Sequence, residues 1–338
     1  MATAGKTSRA RNPASSAEPT LAADRVNYVS VGAEDAGQRL DNFLMRLAKG
    51  VPKSHIYRIV RSGEVRVNKA RAGVDQRVAE GDELRIPPLR VAQRAAPPAV
   101  PRPLTLPVLF EDEHLLVVDK PAGLAAHGGS GIAFGLIEQL RAARPNQPFL
   151  ELAHRLDRET SGLLLLAKSR RSLVRLHAAL RDGEVDKRYL ALVAGDWRND
   201  RQHVKLALHK FVTAAGERRV NVDEEGQAAH TVFNRVERFD GFTLLEAELR
   251  TGRTHQIRVH LAHLGFPIVG DDKYGDFDLN KRAARGAFGA RLDRMFLHAV
   301  RVSFAHPVGG EPLAIEAALP PACEDFLDAL RAGRVDAR

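Results

Sequence analysis

One acidic residue lies in a setting that suits catalysis. Residues 152–162 read LAHRLDRETSG and are followed at once by the apolar run of residues 163–166, so Asp157 belongs to a charged loop directly before a buried strand. Such a loop can hold a carboxylate in a fixed orientation, with Arg155 and Arg158 beside it. A carboxylate held this way can act as a nucleophile or transfer a proton. The alternative is a structural salt-bridge cluster, which is the better interpretation of an isolated Arg-Leu-Asp.

A second polar segment, GRTHQIRVHLAHL at residues 252–264, contains another candidate. We predict a helix over residues 254–264 that Thr254 caps, with an apolar stripe at positions 257, 261 and 264. Arg258 lies off that stripe, toward a cleft. If it stood outside any motif, Arg258 would indicate only a surface salt bridge.

Histidines and aspartates in the same region permit a different interpretation, a metal-dependent hydrolase. The candidate ligands are His255, His260, His263, Asp271 and Asp272. A zincin helix would present His-Glu-x-x-His, with a carboxylate between two imidazoles one turn apart, and this segment lacks that spacing. We therefore expect no metal site.

Tyr189 lies in an otherwise aliphatic strand pattern, residues 189–193, and is one of only four tyrosines. Core packing with one satisfied hydroxyl is the simple interpretation of such a residue. The pattern alone does not decide between packing and a part in chemistry.

The elements that would position these residues form a mixed pattern from residue 104 to about residue 331. Strands are predicted at residues 115–118, 163–166, 189–193 and 242–245, and helices at residues 132–144, 172–181, 254–264 and 323–330. Many short strands with a few helices predict an α+β fold, in which a mixed, mainly antiparallel sheet surrounds a central cleft.

Positive charge is concentrated near the N-terminus. The net charge is +9, and residues 1–103 carry 18 basic and 10 acidic residues, whereas residues 104–338 carry 33 and 32. Two short amphipathic helices are predicted between residues 38 and 63, with short strands at residues 26–31, 64–68 and 82–86. A compact basic module of this kind suits contact with phosphates, although charge alone fits a solvated face equally well.

Composition limits the remaining possibilities. Seven of the 18 prolines fall within residues 87–107, which predicts a linker at residues 88–103. Residues 1–25 are interpreted as a disordered basic tail and residues 332–338 as a C-terminal tail. Because the sequence has one cysteine and no run of about 18 apolar residues, we expect no disulfide, no membrane span and a cytoplasmic location.

The run around Asp157 resembles the active-site motif of the RluA-type pseudouridine synthases, enzymes that isomerise uridines in RNA. Three further segments resemble the family's other motifs in the family order: VDKPAGLAAHGG at 118–129, KRYLA at 187–191 and GRTHQIRVH at 252–260. The basic module, residues 26–87, is similar to the small alpha-L-type α/β RNA-binding domain that many of these enzymes carry. The catalytic domain is then expected at residues 104–331, with the pseudouridine synthase type of α+β fold.

The resemblance implies three catalytic residues. Asp157 is the essential carboxylate in a reaction that breaks the bond from ribose to uracil nitrogen and rejoins the base through carbon. Arg258 pairs with Asp157 and favours its ionised form. Tyr189 stacks on the uracil and acts as a general acid or base during removal of the C5 proton. Since the reaction adds no group and involves no net redox change, no cofactor is expected.

Other basic residues are expected to contact RNA. Arg155 resembles the family's candidate for filling the gap that a flipped uridine leaves, and His154 lies beside it. Backbone or phosphate contacts are expected from Lys120, Lys187, Arg253 and His255 in the catalytic domain, and from Lys53, Arg58, Arg61 and Arg66 in the basic module.

Residues 37–68 look like the branch of the family that acts on several uridines of 23S ribosomal RNA. The expected partner is therefore 23S ribosomal RNA or a pre-ribosomal particle, bound by a monomer. One alternative is a synthase of the same family that acts on other ribosomal or transfer RNA sites. Another is a non-catalytic RNA-binding ribosome-assembly factor, which loss of the aspartate, tyrosine or arginine would indicate, and all three are present. A glycosidase would need paired carboxylates, and only Asp157 has a motif around it.

Overall fold

The computed structural model describes residues 21–48, 50–89, 102–129, 133–213 and 216–333. The chain divides into two compact units, residues 1–98 and residues 99–338. Most of the expected linker and N-terminal tail, and the last five residues, lie outside the described residues.

The first unit is a small α/β module whose two helices and antiparallel sheet share one apolar core. Its elements are β1 (Asn27–Ser30), a short 3-10 helix (Ala33–Asp35), α1 (Leu40–Leu47), α2 (Lys53–Arg61), β2 (Arg66–Val67), β3 (Ala70–Arg71) and β4 (Glu83–Ile86), with strand order β1-β4-β2-β3. Asp41, buried in α1, accepts hydrogen bonds from Tyr57 of α2 at 2.7 Å and from Arg39 at 3.0 and 3.1 Å. Both predicted helices and all three predicted strands are confirmed.

The second unit is built on one large sheet. Its strands are β5 (Val108–Glu111), β6 (Leu115–Lys120), β7 (Glu151–Leu152), β8 (Ser161–Ala167), β9 (Asp186–Ala194), β10 (Arg201–Val204), β11 (Leu208–Val212), β12 (Arg218–Val222), β13 (Thr231–Phe239), β14 (Phe242–Leu249), β15 (Leu297–Ala305) and β16 (Pro312–Glu316). Its helices are α3 (Leu136–Ala143), α4 (Arg170–Asp182), α5 (Gln256–His263), α6 (Phe277–Ala284) and α7 (Pro321–Gly333). The main strand order in the described residues is β10-β13-β14-β9-β15-β8-β6-β5; β7 also pairs with β8, β16 with β15, and β11 with β12 as a separate hairpin.

Strand β15 connects the two halves of this sheet. It runs antiparallel to β9 and parallel to β8, and the contact with β8 is the one parallel pairing among the described strands. Gly162 of β8 pairs with Ala299, adopts a φ of +104°, and has no room for a Cβ because that atom would collide with the Ala299 carbonyl. The strand that follows the Asp157 loop is thereby joined, through β15, to the strand that carries Tyr189.

Helices cover both faces of the central strands. On β9, the side chains of Tyr189, Ala191 and Val193 belong to the larger core, which α3, α4 and α5 also line. Leu190 and Leu192 alternate with them and belong to a second core with α6 and α7. This arrangement is the predicted α+β fold with a mainly antiparallel sheet. No helix in the described ranges combines the length and apolar character that crossing a membrane requires.

The helices of the second unit differ from the prediction in several places. The prediction that Thr254 caps α5 is wrong: the residues before the helix form a turn in which the Gln256 amide donates to the Arg253 carbonyl, and His255 becomes the N-cap residue. Helix α3 begins at Leu136, and Ile132 lies outside the described residues. Helix α6 was not predicted, although Asp276 caps it by accepting from two backbone amides.

Candidate active site

A cleft of about 560 Å³ lies among the loop before β8, strand β9 and the start of α5. Eight residues that the sequence singled out line it: Asp157, Tyr189, Arg258, His154, Arg155, Lys187, Arg253 and His255. Their three segments are far apart in the chain, and the pairing of β15 with both β8 and β9 brings two of them together. The three residues predicted to be catalytic therefore share one cleft.

The loop before β8 presents Asp157 to this cleft. Leu156 is buried in the larger core, and the amide of Thr160 donates to the Asp157 carbonyl at 3.2 Å, so the loop is anchored on both sides of the aspartate. The Asp157 side chain keeps 19% of its surface exposed. Arg158 points elsewhere, to Glu159 at 2.9 Å. A partly exposed carboxylate on a well-anchored loop of the cleft is what acid, base or nucleophilic chemistry requires.

Arg258 connects this carboxylate to a second, fully buried one. Its Nε and Nη2 donate to the two carboxylate oxygens of Asp271 at 2.7 and 2.6 Å, in a bidentate pair. Its Nη1 donates to Oδ2 of Asp157 at 3.3 Å. The predicted ion pair between Arg258 and Asp157 is therefore present, and Asp271 determines where its guanidinium lies.

Burial and pairing oppose each other in this ion-pair network. Burial by itself would lower the pKa of Arg258, but hydrogen bonding and attraction from Asp271, with a further contribution from Asp157, raise it above its ordinary value. Burial would raise the pKa of Asp271, whereas Arg258 and the backbone amides of Lys273 and Tyr274 lower it. Both groups are held in their charged forms, so Asp157 faces a permanent cation.

Tyr189 lies on β9 with 6% of its surface exposed. Its partners across the sheet are small residues on both sides, Ala247 of β14 and Ala299 of β15, and Tyr189 forms part of the cleft wall. Burial, with a smaller contribution from the negative charge of Asp157, raises the pKa of the Tyr189 hydroxyl. The hydroxyl is therefore protonated at neutral pH and is available first as a donor.

His255 faces Asp157 from the start of α5. Its backbone is left-handed, with φ 54°, a conformation that costs a residue other than glycine on the order of 1 kcal/mol. Its Nδ1 lies 2.8 Å from the Tyr274 hydroxyl, and its Nε2 lies 3.8 Å from Oδ2 of Asp157. The ring is therefore oriented toward the carboxylate rather than toward solvent.

The four other predicted residues of the cleft differ in how far their side chains are exposed. Arg155 and Arg253 are exposed, and Arg253 donates through Nε to the Ala228 carbonyl. Lys187 is partly buried, which lowers its pKa. His154 accepts a hydrogen bond from the Leu165 amide at 3.2 Å, and burial, with repulsion from Lys187, lowers its pKa to about 4. His154 is therefore a neutral support of the loop as well as part of the cleft wall.

Lys120 lies inside the protein, contrary to the prediction. Its side chain is fully buried, and its ammonium donates to the carbonyls of Pro121, Leu124 and Arg158 at 2.9 to 3.1 Å. The predicted contact between Lys120 and RNA is wrong, because every donor already has a carbonyl partner inside the protein. Lys120 instead joins the first motif to the loop that carries Asp157.

In the first unit, helix α2 gathers three of the predicted RNA contacts. Lys53, Arg58 and Arg61 are exposed and line a shallow pocket around Tyr57. The Lys53 ammonium lies 5.3 Å and the Arg61 guanidinium 5.7 Å from the Tyr57 ring centre, within cation-π range. Arg66 lies on β2 and is partly buried.

The residues of the alternative metal site do not assemble. His260 is fully buried, with Nδ1 3.0 Å from the Thr231 hydroxyl and Nε2 3.0 Å from the Leu206 carbonyl, whereas His263 is exposed. No group of three or more potential ligands with metal-binding geometry occurs within the described part of the chain.

Sequence reasoning missed three residues that organise the cleft. Asp271 and Tyr274 hold Arg258 and His255, and Gln256 holds the preceding turn by accepting from Thr251 and the Arg253 amide. Asp271 was considered only as a metal ligand. A signal was available, because Asp271 closely follows the apolar residues Ile268 and Val269, with only Gly270 between them.

Comparison with known proteins identifies the family. The family model described as "RNA pseudouridylate synthase" matches residues 114–263, and the model of the S4 domain matches residues 38–84. The chain is 48% identical over 314 residues to ribosomal large subunit pseudouridine synthase C of Escherichia coli K12, covering 91% of this chain and 98% of the relative. The chain belongs to the RNA pseudouridylate synthase family. It is therefore an isomerase, as the resemblance implied.

Other relatives agree with this identification. The synthase C of Yersinia pestis is 49% identical over 311 residues, covering 90% of this chain and 96% of the relative. Among solved structures, human RNA pseudouridylate synthase domain containing 4 superimposes with a TM-score of 0.55 at 25% identity, covering 67% of this chain and 93% of that one. The predicted fold class is confirmed.

We predict that Asp271→Asn destabilises the protein by about 3 kcal/mol or more, because an amide in its place leaves the buried Arg258 without its main counter-ion. Asp272→Asn is the matched control: its carboxylate is 3.4 Å from the same guanidinium but 65% exposed, so the expected loss is below about 0.5 kcal/mol. Urea unfolding measures both. Equal losses would contradict the role assigned to Asp271.

Proposed function

We propose that this protein converts uridines of 23S large-subunit ribosomal RNA to pseudouridine, with Asp157 as its catalytic carboxylate. The observation that carries the proposal is the Asp157 carboxylate, open to the cleft and 3.3 Å from a guanidinium that a buried aspartate holds in place. The relatives named as ribosomal large subunit pseudouridine synthases support the choice of substrate. The site of action is the cytoplasm, and the enzyme acts as a monomer on the RNA or a pre-ribosomal particle.

The reaction is an isomerisation that balances without a co-reactant. The bond between ribose C1′ and uracil N1 breaks, the base turns in the cleft, and a bond forms between C1′ and C5. The proton on C5 leaves and N1 gains one. Asp157 assists the first step, either by attack on the sugar or by removing a proton from it, and Arg258 stabilises the ionised carboxylate before that step and after its release.

Tyr189 is proposed to hold the uracil and to handle protons at C5. Its ring has alanines on both neighbouring strands, so a planar base can lie against it. Because the raised pKa keeps its hydroxyl protonated in the free enzyme, Tyr189 can accept the C5 proton only after it has donated its own. N1 is the atom that needs that proton.

We predict that Asp157→Asn lowers the rate of pseudouridine formation in a 23S transcript by about a thousandfold or more, because the amide cannot supply the charge. Tyr189→Phe should still bind the RNA and fail to turn it over. Asp278→Asn, a 90% exposed carboxylate on α6, is the control and should leave the rate unchanged. Mapping pseudouridine in ribosomal RNA from cells that lack the gene, complemented by each variant, identifies the sites. Full activity of Asp157→Asn would end the proposal.

Arg155 is proposed to fill the space that the extruded uridine leaves in the RNA. It is exposed on the rim of the cleft, two residues before Asp157, and His154 supports the loop beneath it. Taking a base out of its stack costs a few kcal/mol, and an inserted side chain offsets part of that cost.

We therefore expect Arg155→Ala to lose roughly tenfold or more activity on a folded stem-loop and much less on an unstructured oligonucleotide of the same sequence. Arg158→Ala, which removes the neighbouring exposed arginine that pairs with Glu159, is the matched control. The test compares the initial rates of both variants and the wild type on the two RNAs. An equal loss on both would assign Arg155 to general phosphate binding instead.

The basic module, residues 26–87, is proposed to anchor the RNA through Lys53, Arg58 and Arg61 of α2 and through Arg66 of β2. Support comes from the S4 match and from the cluster of cations around Tyr57. The ring is held because its hydroxyl donates to Asp41, whose pKa the Arg39 hydrogen bond lowers to about 2.

We predict that Arg61→Gln weakens binding of the full-length protein to 23S RNA and reduces the slope of log affinity against log salt by about one, since one phosphate contact is lost. Lys69→Gln, which removes an exposed charge elsewhere in the same unit, is the control. Titrations at several salt concentrations provide the slopes. An unchanged slope for Arg61→Gln would show that α2 is not the anchor.

A further inference from the structure

The segment that contains Asp271 and Tyr274 contacts both groups that face the proposed catalytic carboxylate. Asp271 binds Arg258 through two hydrogen bonds, and the Tyr274 ring lies 5.2 Å from the same guanidinium. The Tyr274 hydroxyl contacts His255. One short segment therefore positions two side chains that approach Asp157 from different directions.

The hydrogen-bond contacts of the Tyr274 hydroxyl bear on which nitrogen of His255 carries a proton. It accepts a hydrogen bond from the Val220 amide at 3.0 Å, and it lies 2.8 Å from Nδ1 of His255. The Val220 amide uses one lone pair of the hydroxyl, and Nδ1 is an acceptor within reach of the single hydroxyl proton, so this arrangement favours Nδ1 as the acceptor. A neutral imidazole that accepts at Nδ1 carries its proton on Nε2.

That Nε2–H group lies beside Asp157. It is 3.8 Å from Oδ2, the same oxygen that Arg258 approaches at 3.3 Å. A hydrogen bond needs a movement of less than about 1 Å, and catalytic hydrogen bonds often tighten only when the substrate binds. The left-handed backbone of His255 and its edge-on packing against Tyr274, 5.6 Å between ring centres, fix the ring in this place.

A second donor to Asp157 has a clear physical use. The Nε and Nη2 atoms of Arg258 bind Asp271. Arg258 therefore restrains the Asp157 carboxylate only through Nη1, in one long hydrogen bond. A carboxylate held at one oxygen by one donor can still rotate. A donor from His255 would restrict that rotation.

We propose that Tyr274 is a positioning residue that holds His255 neutral with its proton on Nε2, and that this N–H is the second donor to Asp157; the proposal rests on the catalytic role of Asp157 proposed above. His255 then serves the carboxylate instead of an RNA phosphate. The charged groups around the imidazole are Asp157, Asp271, Arg258 and Lys273. Burial lowers the pKa of His255, which agrees with a neutral ring.

The test begins with the full-length protein without RNA. In a sample labelled with ¹⁵N-histidine, two-bond ¹H–¹⁵N spectra show which ring nitrogen carries the proton, and His255→Gln identifies the signals of His255. We expect the Nε2–H form in the wild type and a mixture of tautomers in Tyr274→Phe, which keeps the ring on Arg258 and removes only the hydroxyl. Tyr28→Phe, at a 65% exposed tyrosine, is the matched control.

Kinetics on a 23S transcript then test the consequence. Tyr274→Phe should lower kcat about tenfold with little change in KM, as expected for the loss of one hydrogen bond to the carboxylate. His255→Gln, whose amide can still donate, should retain more activity than His255→Ala.

Two results would overturn the inference. One is an Nδ1–H tautomer in the wild type. The other is a rise in KM with unchanged kcat in His255→Ala, as a phosphate contact would give. The NMR result does not depend on activity, so a fully active Asp157→Asn would reject the proposed function and leave the finding on Tyr274 and His255 standing.

Discussion

A single guanidinium that joins a buried carboxylate to the carboxylate in the cleft organises the catalytic unit. Arg258 is 3% exposed and would be very costly to bury without a partner, and Asp271 offsets that cost through both of its oxygens. Because this pair is complete, Arg258 can direct its remaining nitrogen at Asp157 without depending on it for its own stability. The carboxylate exposed to the cleft is thus free to change its charge or its bonding while its neighbour stays in place.

The supports of the cleft come from inside the protein. Lys120 ties the first motif to the Asp157 loop through three carbonyls, Gln256 holds the turn before α5, and His154 accepts from β8. Each of these polar side chains forms hydrogen bonds to backbone groups of the segments around the cleft. The cleft is rigid because its loops are bonded to the sheet, so the arginines at its rim can remain exposed for RNA.

Much of this arrangement could be predicted from the sequence, and the part that could not has a common cause. Apolar periodicity located most of the described α-helices but fewer than half of the described strands, and the motifs located Asp157, Tyr189 and Arg258. Lys120 and Asp271 were misjudged because a sequence shows the type of a charged residue and not its burial. The Thr254 cap failed for a related reason, since a turn closed by tertiary contacts around Gln256 overrode the local capping preference. Helix α6 was missed although its cap was visible at Asp276.

The position of β15 has a consequence for how the enzyme is made. This strand lies between β8 and β9, yet it is the last but one strand among the described residues, and the hydrogen bond between Ser161 and His298 spans 137 residues. During synthesis, β8 and β9 emerge from the ribosome long before the strand that must separate them, so the early sheet exposes two edges that cannot yet be joined correctly. A nascent chain therefore has no complete cleft until β15 has been translated, and this topology permits premature pairing of β8 with β9.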